Sequence, residues 1–309
     1  MIRHLLRRLG GSLLVLLAVS FIIFAALDVI PGDAADAMVG DSASQEQLDT
    51  LRHELGLDRP LLARYLDFLS GVVSRGDLGR SLVSDRQITD LLVESFRYTL
   101  LLALTASGLA TLLGMVIGIF AALRSGSYVD TFIMATTTLG LAIPTYWSAL
   151  LFILLFALTL GWLPVVGASS WKHLVLPTVT LALPMSAVVA RLMRSSVLEE
   201  LNAAYVYTAR AKGASSRRVL LGHIMRNSLI PVISMLGLYL GRLLGSAFIV
   251  ETIFGWPGLG RLTVRAIFDR DLPVVLGAAL IVATTYLIIN FLVDLAHAWL
   301  DPRVAHETI

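Results

Sequence analysis

Cysteine is absent from the 309-residue chain, which excludes a disulfide framework, a thiolate nucleophile and any metal site built on thiolates. Charge is scarce as well. Asp, Glu, Lys and Arg make up 15% of the residues, against about 25% in an average soluble domain, too few to cover a core of this size with water-facing surface. The formal net charge of +2 leaves no electrostatic footprint for nucleic acid. Catalytic signatures are missing too: no GxxxxGK[ST] phosphate loop, no HExxH helix and no GxSxG turn occurs. His4, His53, His173, His223, His297 and His306 are scattered without ligand spacing, and His173 beside Trp171 lacks the three or four converging ligands that a transition metal needs. The chain is therefore expected to hold no metal or cofactor of its own and to hydrolyse no nucleotide.

What is abundant is apolar surface. Hydrophobic residues make up 57% and the mean hydropathy is +0.81, the composition of a chain whose solvent is lipid. A membrane-crossing helix needs about 20 predominantly apolar residues, and six stretches meet or approach that length: Ser12–Ile30, Thr99–Leu123, Phe132–Leu160, Leu174–Met193, Leu229–Val250 and Val274–Leu300. The first resembles a secretory signal, with Arg3, Arg7 and Arg8 ahead of it and Ala35-Asp36-Ala37 behind. Its length and the five spans that follow favour a retained helix. In short loops an inside N-terminus puts 11 Lys and Arg residues on the inner side and 4 on the outer, so both termini are expected in the cytoplasm. The expected fold is all-α and polytopic, with residues 1–30 as the N-terminal end and first span, 31–98 as an external segment and 99–309 as the membrane core. Within 31–95, the apolar positions Leu48, Leu51, Leu55, Leu61, Leu62, Tyr65, Leu66, Phe68 and Leu69, punctuated by Pro31 and Pro60, predict short amphipathic helices in an ordered cap.

Small residues and prolines mark several spans: Gly114 and Gly118, Pro144, Pro184, and Gly237, Gly241 and Gly245 at intervals of four. They read as sites of close helix approach or kinking, or as the lining of a moving pathway.

The informative stretch lies between the fourth and fifth spans, from Tyr205 to Asn227. Gly213 divides two helical segments, Ser215 or Ser216 is placed to cap the second, and Val219, Leu220, His223 and Ile224 are predicted to share one face. A basic helix-turn-helix of this kind suits either an anchor on anionic lipid or a docking element for a cytosolic partner.

This stretch resembles the EAA loop of ABC-importer permeases, in which a coupling helix inserts into a groove of an ATPase subunit. Ala209 and Gly213 fall on the motif's second Ala and its Gly. Tyr207 stands where Glu is usual, Thr208 replaces the first Ala and Arg226 the later Pro. Those departures resemble the branch that carries dipeptides, oligopeptides and nickel. Its pattern also matches Pro31-Gly32-Asp33, Leu55 to Leu61, Gly76 to Ser81, Gly161 to Pro164, Val250 to Phe254, Trp256 to Arg261, Arg270-Asp271, Asn290 to Asp294 and Leu300 to Arg303.

The resemblance implies a type I ABC importer permease with six transmembrane helices, multi-pass in a bacterial or archaeal cytoplasmic (inner) membrane. It implies coupling to the ATPase through Tyr207, Thr208, Ala209, Arg210, Lys212, Gly213, Ala214, Ser215, Arg217 and Arg218. It implies a heterodimer with a second homologous permease, two ABC ATPases carrying ATP and Mg, and a periplasmic or lipid-anchored solute-binding protein. The expected cargo is a short peptide, with nickel or another metal chelate as the alternative within the family. A stand-alone secondary transporter is the alternative of another class; it needs buried acids and internal repeats that the sequence does not show clearly.

Ionisable residues in or at the ends of the spans are costly, and Arg242, Glu251 and Asp294 stand out among them. Arg242, between Gly241 and Gly245, is expected either to line the path, to pair with an acid of the partner permease, or to snorkel. Glu251 and Asp294 read as structural charges.

Overall fold

The computed structural model describes residues 2–29, 35, 44–54 and 56–300; Pro31-Gly32-Asp33 and the tail from Asp301 lie outside them. Among the described residues the only extended pairing is an isolated bridge between Arg80 and Gln87, and the rest of the regular structure is helical. In chain order the helices are α1 (Ile2–Val29), α2 (Gln45–Glu54), α3 (Leu61–Arg75), α4 (Ile88–Leu123), α5 (Tyr128–Ala142), α6 (Thr145–Phe152), α7 (Lys172–Leu201), α8 (Ala204–Ala211), α9 (Ser216–Val219), α10 (Met225–Ile253), α11 (Leu259–Phe268) and α12 (Leu272–Leu300). Helix α6 continues as a π-helical stretch, Ile153–Thr159, and a second such stretch, Leu220–Ile224, leads from α9 into α10.

Four described segments are long and apolar enough to cross a membrane: α4, α7, Ser216–Gly237 and Leu272–Val293. The third predicted span is not one straight helix. Tyr128–Ala142 and Thr145–Thr159 meet at a bend of 99°, and the pair counts as a fifth crossing only if taken together. The cause is local: Pro144 lacks an amide donor and holds Ile143 in extended conformation, so α5 stops there. In α1 the apolar stretch Leu13–Ala26 is shorter than a full span. Helix α4 begins well before the predicted Thr99, so the boundary at 98/99 falls inside a helix rather than between segments.

By packing, the chain divides into two units, Met1–Thr99 with Pro257–Ile288, and Leu100–Trp256 with Ile289–Ile309. In the first unit, α1 meets α3 through Tyr65. The Tyr65 hydroxyl lies 2.7 Å from Ser20 Oγ and donates to the Leu17 carbonyl, and Phe21 and Phe24 meet its ring edge-on. A second cluster buries Ile88 and Leu92 against Leu259, Ala266, Val274, Val275 and Ala278. Gly277 belongs there because no side chain fits: a Cβ would lie 2.8 Å from Leu92 Cδ1 and 2.9 Å from Ile88 Cγ2. Polar groups in this unit are satisfied internally. Leu259 N–H donates to Thr99 Oγ1 at 2.7 Å, and the buried Asp271 carboxylate accepts from Ser81 Oγ and from Leu82 N–H.

In the second unit α7 is the hub, packed against α10, α5 and α6. Its buried stripe includes Leu181, Met185, Val189, Ala190, Met193 and Val197. Gly114 and Gly118 of α4 fit against it: their Cβ atoms would fall 2.6 Å from Val189 Cβ and 2.4 Å from the Ala190 carbonyl. At Gly237 of α10 a Cβ would sit 1.8 Å from Val293 Cγ2. In lipid, where apolar surface gains nothing by leaving solvent, such backbone-to-side-chain contact is what holds helices together. The outward residues Leu112, Leu113, Val116, Leu150, Leu154 and Leu158 are exposed, as a lipid-facing surface requires.

Candidate functional site

The candidate site is the segment between α7 and α10. Helix α7 ends at Leu201, α8 follows, and the chain turns at Gly213, whose φ of 84° lies in the left-handed region. That conformation suits glycine because it has no Cβ to clash with the following carbonyl. Ser215 occupies the N-cap position of α9 as predicted in place, but its side chain makes no capping hydrogen bond; its carbonyl accepts from Val219 N–H at 3.0 Å instead. The predicted four-residue face also differs. Val219 and Ile224 are buried whereas His223 is exposed, because the i→i+5 bonding of Leu220–Ile224 brings residues five apart to the same side. With the buried Val206, Val219 and Ile224 contribute the segment's apolar residues removed from solvent.

Most of the remaining side chains are exposed. Tyr207, Thr208, Arg210, Lys212, Ser215, Arg217, Arg218 and Leu221 are exposed, while Ala209 and Ala214 are half-buried. The surface is thus basic with two large apolar groups, Tyr207 at 58% and Leu221 at 67% exposure, a combination suited to a partner surface with both acidic and apolar features.

Two polar arrangements hold this end of α7. Tyr205 donates its hydroxyl to Glu200 Oε2, and Asn227 Nδ2 lies 3.2 Å from the same oxygen and 3.3 Å from the Tyr205 hydroxyl. Burial, then the Glu200 carboxylate beside it, pushes the Tyr205 hydroxyl above its ordinary pKa, so it remains a donor. One turn and more before Glu200, Arg194 grips Asp130 of α5 with two parallel bonds, Nε to Oδ1 and Nη2 to Oδ2, each 2.6 Å. The Asp130 side chain is only 5% exposed. Its carboxylate also accepts from Gly126 N–H, and Ser127 Oγ caps the helix by accepting from Asp130 N–H. The excess of Lys and Arg on the inner side includes Arg194 and accounts for its position without naming a partner. Ser127-Tyr128-Val129-Asp130 is a Ser-x-x-Asp helix start, which signals where α5 begins but not that Asp130 meets Arg194.

Arg242 is exposed on α10, with its guanidinium carbon 5.9 Å from the centre of the Tyr239 ring. Among the described residues no carboxylate forms an ion pair with it. A Cβ at Gly245 would meet no atom within 4 Å, and Gly241 is half-buried. Between α4 and α10 runs a groove of about 410 Å³ lined by Leu104, Ser107, Gly108, Thr111, Leu236 and Leu240. Glu251 is fully buried; the side chain of Asp294 lies outside the described residues. Among the described residues no three His, Asp or Glu converge as metal ligands.

Residues 114–306 match the family described as binding-protein-dependent transport system inner membrane component, and residues 1–103 match its N-terminal counterpart. The chain belongs to this family. It is 38% identical over 307 residues to the glutathione transport system permease protein GsiC of Escherichia coli strain K12 and of Salmonella typhimurium strain LT2, alignments that cover 99% of this chain and 100% of each relative. Among solved structures, an inward-facing form of the MetNI methionine ABC transporter superposes with a TM-score of 0.56 at 16% identity, covering 67% of this chain and 94% of that one. An amino acid ABC transporter gives 0.51 at 20% identity, covering 67% and 92%. These likenesses show the fold, that of an importer permease. The permease is a membrane-embedded subunit of an ATP-driven, binding-protein-dependent importer, located in bacteria in the inner membrane. It is not itself an enzyme: ATPase partners hydrolyse ATP, and a solute-binding protein belongs to the system.

Proposed function

We propose that the permease forms one side of a translocation path for short peptides, paired with a second homologous permease, with both termini in the cytoplasm and α1 completing six crossings. Two ABC ATPases, holding ATP and Mg, dock on the loop from Tyr207 to Arg218. ATP-driven closure draws the docked loops together, and the spans change from inward-open to outward-open to receive cargo from the binding protein. ATP is productive because the ATPases contact the loop differently in their open and closed states. The observation that carries the cargo class is the 38% identity over 99% of the chain to a permease described for glutathione, itself a short peptide with free carboxylates.

Arg242 and the flanking Gly241 and Gly245 fit this reading as path residues. A guanidinium facing hydrocarbon costs about 2.5–3.5 kcal/mol even on lenient insertion scales, so the exposed Arg242 belongs against water, cargo or the second permease. Facing the path, it attracts a peptide carboxylate by charge and paired hydrogen bonds. Glu251 and Asp294 serve as structural charges. The test is uptake by the complete complex in proteoliposomes, comparing a free peptide with its C-terminally amidated form. Arg242→Ala is expected to lower uptake of the free peptide about tenfold or more, the scale of one charge-assisted hydrogen bond, and to spare the amide. Normal assembly with unchanged preference removes Arg242 from the path, and no uptake of any peptide by the wild-type complex overturns the cargo class.

A further inference from the structure

The docking segment leaves α7 and returns through α10, and the residues at its two ends meet. Glu200 lies in the last turn of α7, Tyr205 in the first turn of α8 and Asn227 in the first turn of α10. Glu200 and Asn227 are 27 residues apart in sequence, yet their side chains lie 3.2 Å apart and share the Tyr205 hydroxyl. The edge of the His223 ring approaches the Tyr205 ring, with centroids 6.4 Å apart. All three polar groups are half-buried and turned toward one another, unlike Tyr207, Arg210, Arg217 and Arg218, which point outward.

Two weak places flank this contact. The connection Asn202–Ala203 between α7 and α8 is non-helical, and Leu220–Ile224 is π-helical, with poorer hydrogen-bond geometry than an α-helix. Without a tie across its base, each limb of the loop can pivot at its own weak place. Motion of a docked partner is then absorbed within the loop instead of being passed to α7 and α10.

We propose that Glu200, Tyr205 and Asn227 are positioning residues that close the neck of the loop, so that it moves as one rigid piece with α7 and α10 and transmits ATPase closure to both helices together. The inference rests on the reading of the loop as the ATPase dock. It requires that loss of the neck separate hydrolysis from transport instead of preventing assembly.

The test measures, in the reconstituted four-subunit core with its binding protein, ATPase assembly, maximal hydrolysis and peptide moved per ATP. Tyr205→Phe keeps the ring against His223 and removes only the hydroxyl; Asn227→Ala removes the far side of the tie. Both are expected to assemble normally and to hydrolyse ATP within about twofold of wild type. Peptide moved per ATP is expected to fall about fivefold or more, the lower range of typical coupling between sites. Glu200→Gln, which keeps an acceptor oxygen in place, is expected to retain most of the stoichiometry that Glu200→Ala loses. Because the chain has no native cysteine, Tyr205→Cys combined with Asn227→Cys also allows the neck to be closed again by a short cross-linker, which is expected to raise the stoichiometry. Unchanged peptide per ATP in Tyr205→Phe and Asn227→Ala overturns the proposal. A parallel loss of hydrolysis and transport through poor assembly, or no recovery on cross-linking, overturns it as well. Arg217→Ala with Arg218→Ala serves as the control for the dock itself: if ATPase binding is unaffected there, the docking reading fails whatever the neck does.

Discussion

Asp271, between α11 and α12, and Arg217, within the short helix α9, are both charged, yet the chain treats them in opposite ways. Asp271 is 4% exposed and receives donors from Ser81 and Leu82, while Arg217 lies open beside Arg218. The same contrast holds for glycine. Gly277 is enclosed by Ile88 and Leu92, whereas a Cβ at Gly222 would meet nothing within 4 Å. The unit containing Asp271 satisfies its polar groups and fills its space from within the chain. The segment from Tyr207 to Arg218 satisfies its backbone but leaves its side chains for another molecule to complete. Burial of a charge costs several kcal/mol unless it is paired, so the first arrangement marks a folding element. An uncommitted basic surface of this kind marks a binding one.

The largest effect follows from breaking that contrast with bulk. Gly277→Leu must displace Ile88 and Leu92, both fully buried, and overpacking of a filled core costs about 1–3 kcal/mol, occasionally more. The expected outcome is a permease that fails to accumulate in membranes. Gly222→Leu adds the same bulk to open space and is expected to accumulate normally while weakening ATPase binding. Immunoblotting of membranes and co-purification of the ATPase read the two outcomes. Equal abundance of the two variants would dissolve the distinction between closed and open regions.

A smaller loss is expected where the second unit ties its own helices. Asp130→Asn keeps the size of the side chain but removes the negative charge that Arg194 grips at 2.6 Å. Breaking a buried ion pair costs about 3–5 kcal/mol. Because the Arg194 side chain is 26% exposed, water recovers part of that, and about 1–3 kcal/mol is the expected loss after screening. It is read as a lower midpoint of thermal aggregation for the detergent-solubilised complex. Arg194→Lys, which keeps the charge without the planar fork, is expected to fall between the Asp130→Asn variant and wild type; a midpoint equal to wild type in Asp130→Asn would make the pair decorative.

Much of this was legible in the residues, and the misses have physical causes. Long apolar runs fixed where most of the membrane helices lie because hydrocarbon forces backbone groups to bond within the segment. Pro144 reads in the sequence as a place where a span can kink, but apolar composition that continues through it conceals how sharp the 99° bend is. The neck of Glu200, Tyr205 and Asn227 and the pair of Asp130 with Arg194 bring together residues 27 and 64 positions apart, and no periodicity reports such a contact. The π-helical stretch likewise changed which residues of the loop share a side, since a face read at the α-helical period holds His223 together with Val219 and Ile224, whereas the actual bonding keeps Ile224 with Val219 and leaves His223 exposed. What sequence conveyed well at the loop was its basic exposed character, because charged groups without buried partners stay in water.

The smallest effect on stability is expected where the consequence for the assembly is large. Arg217 and Arg218 are exposed, and substitution of exposed residues away from caps and networks usually changes stability by no more than about 0.5 kcal/mol. Arg217→Ala with Arg218→Ala should therefore leave abundance and thermal behaviour unchanged. If an ATPase docks there, the two guanidiniums gain acidic or carbonyl partners only in the complex, so their removal weakens association and reduces its dependence on salt. Titration of the ATPase onto the permease at low and high ionic strength separates the two contributions. A loss of affinity confined to low salt identifies charge attraction at the rim of the interface, whereas a loss at both identifies groups desolvated by docking. Equal affinity at both salt concentrations for variant and wild type would mean that Arg217 and Arg218 face the membrane surface and that the loop is not the ATPase dock.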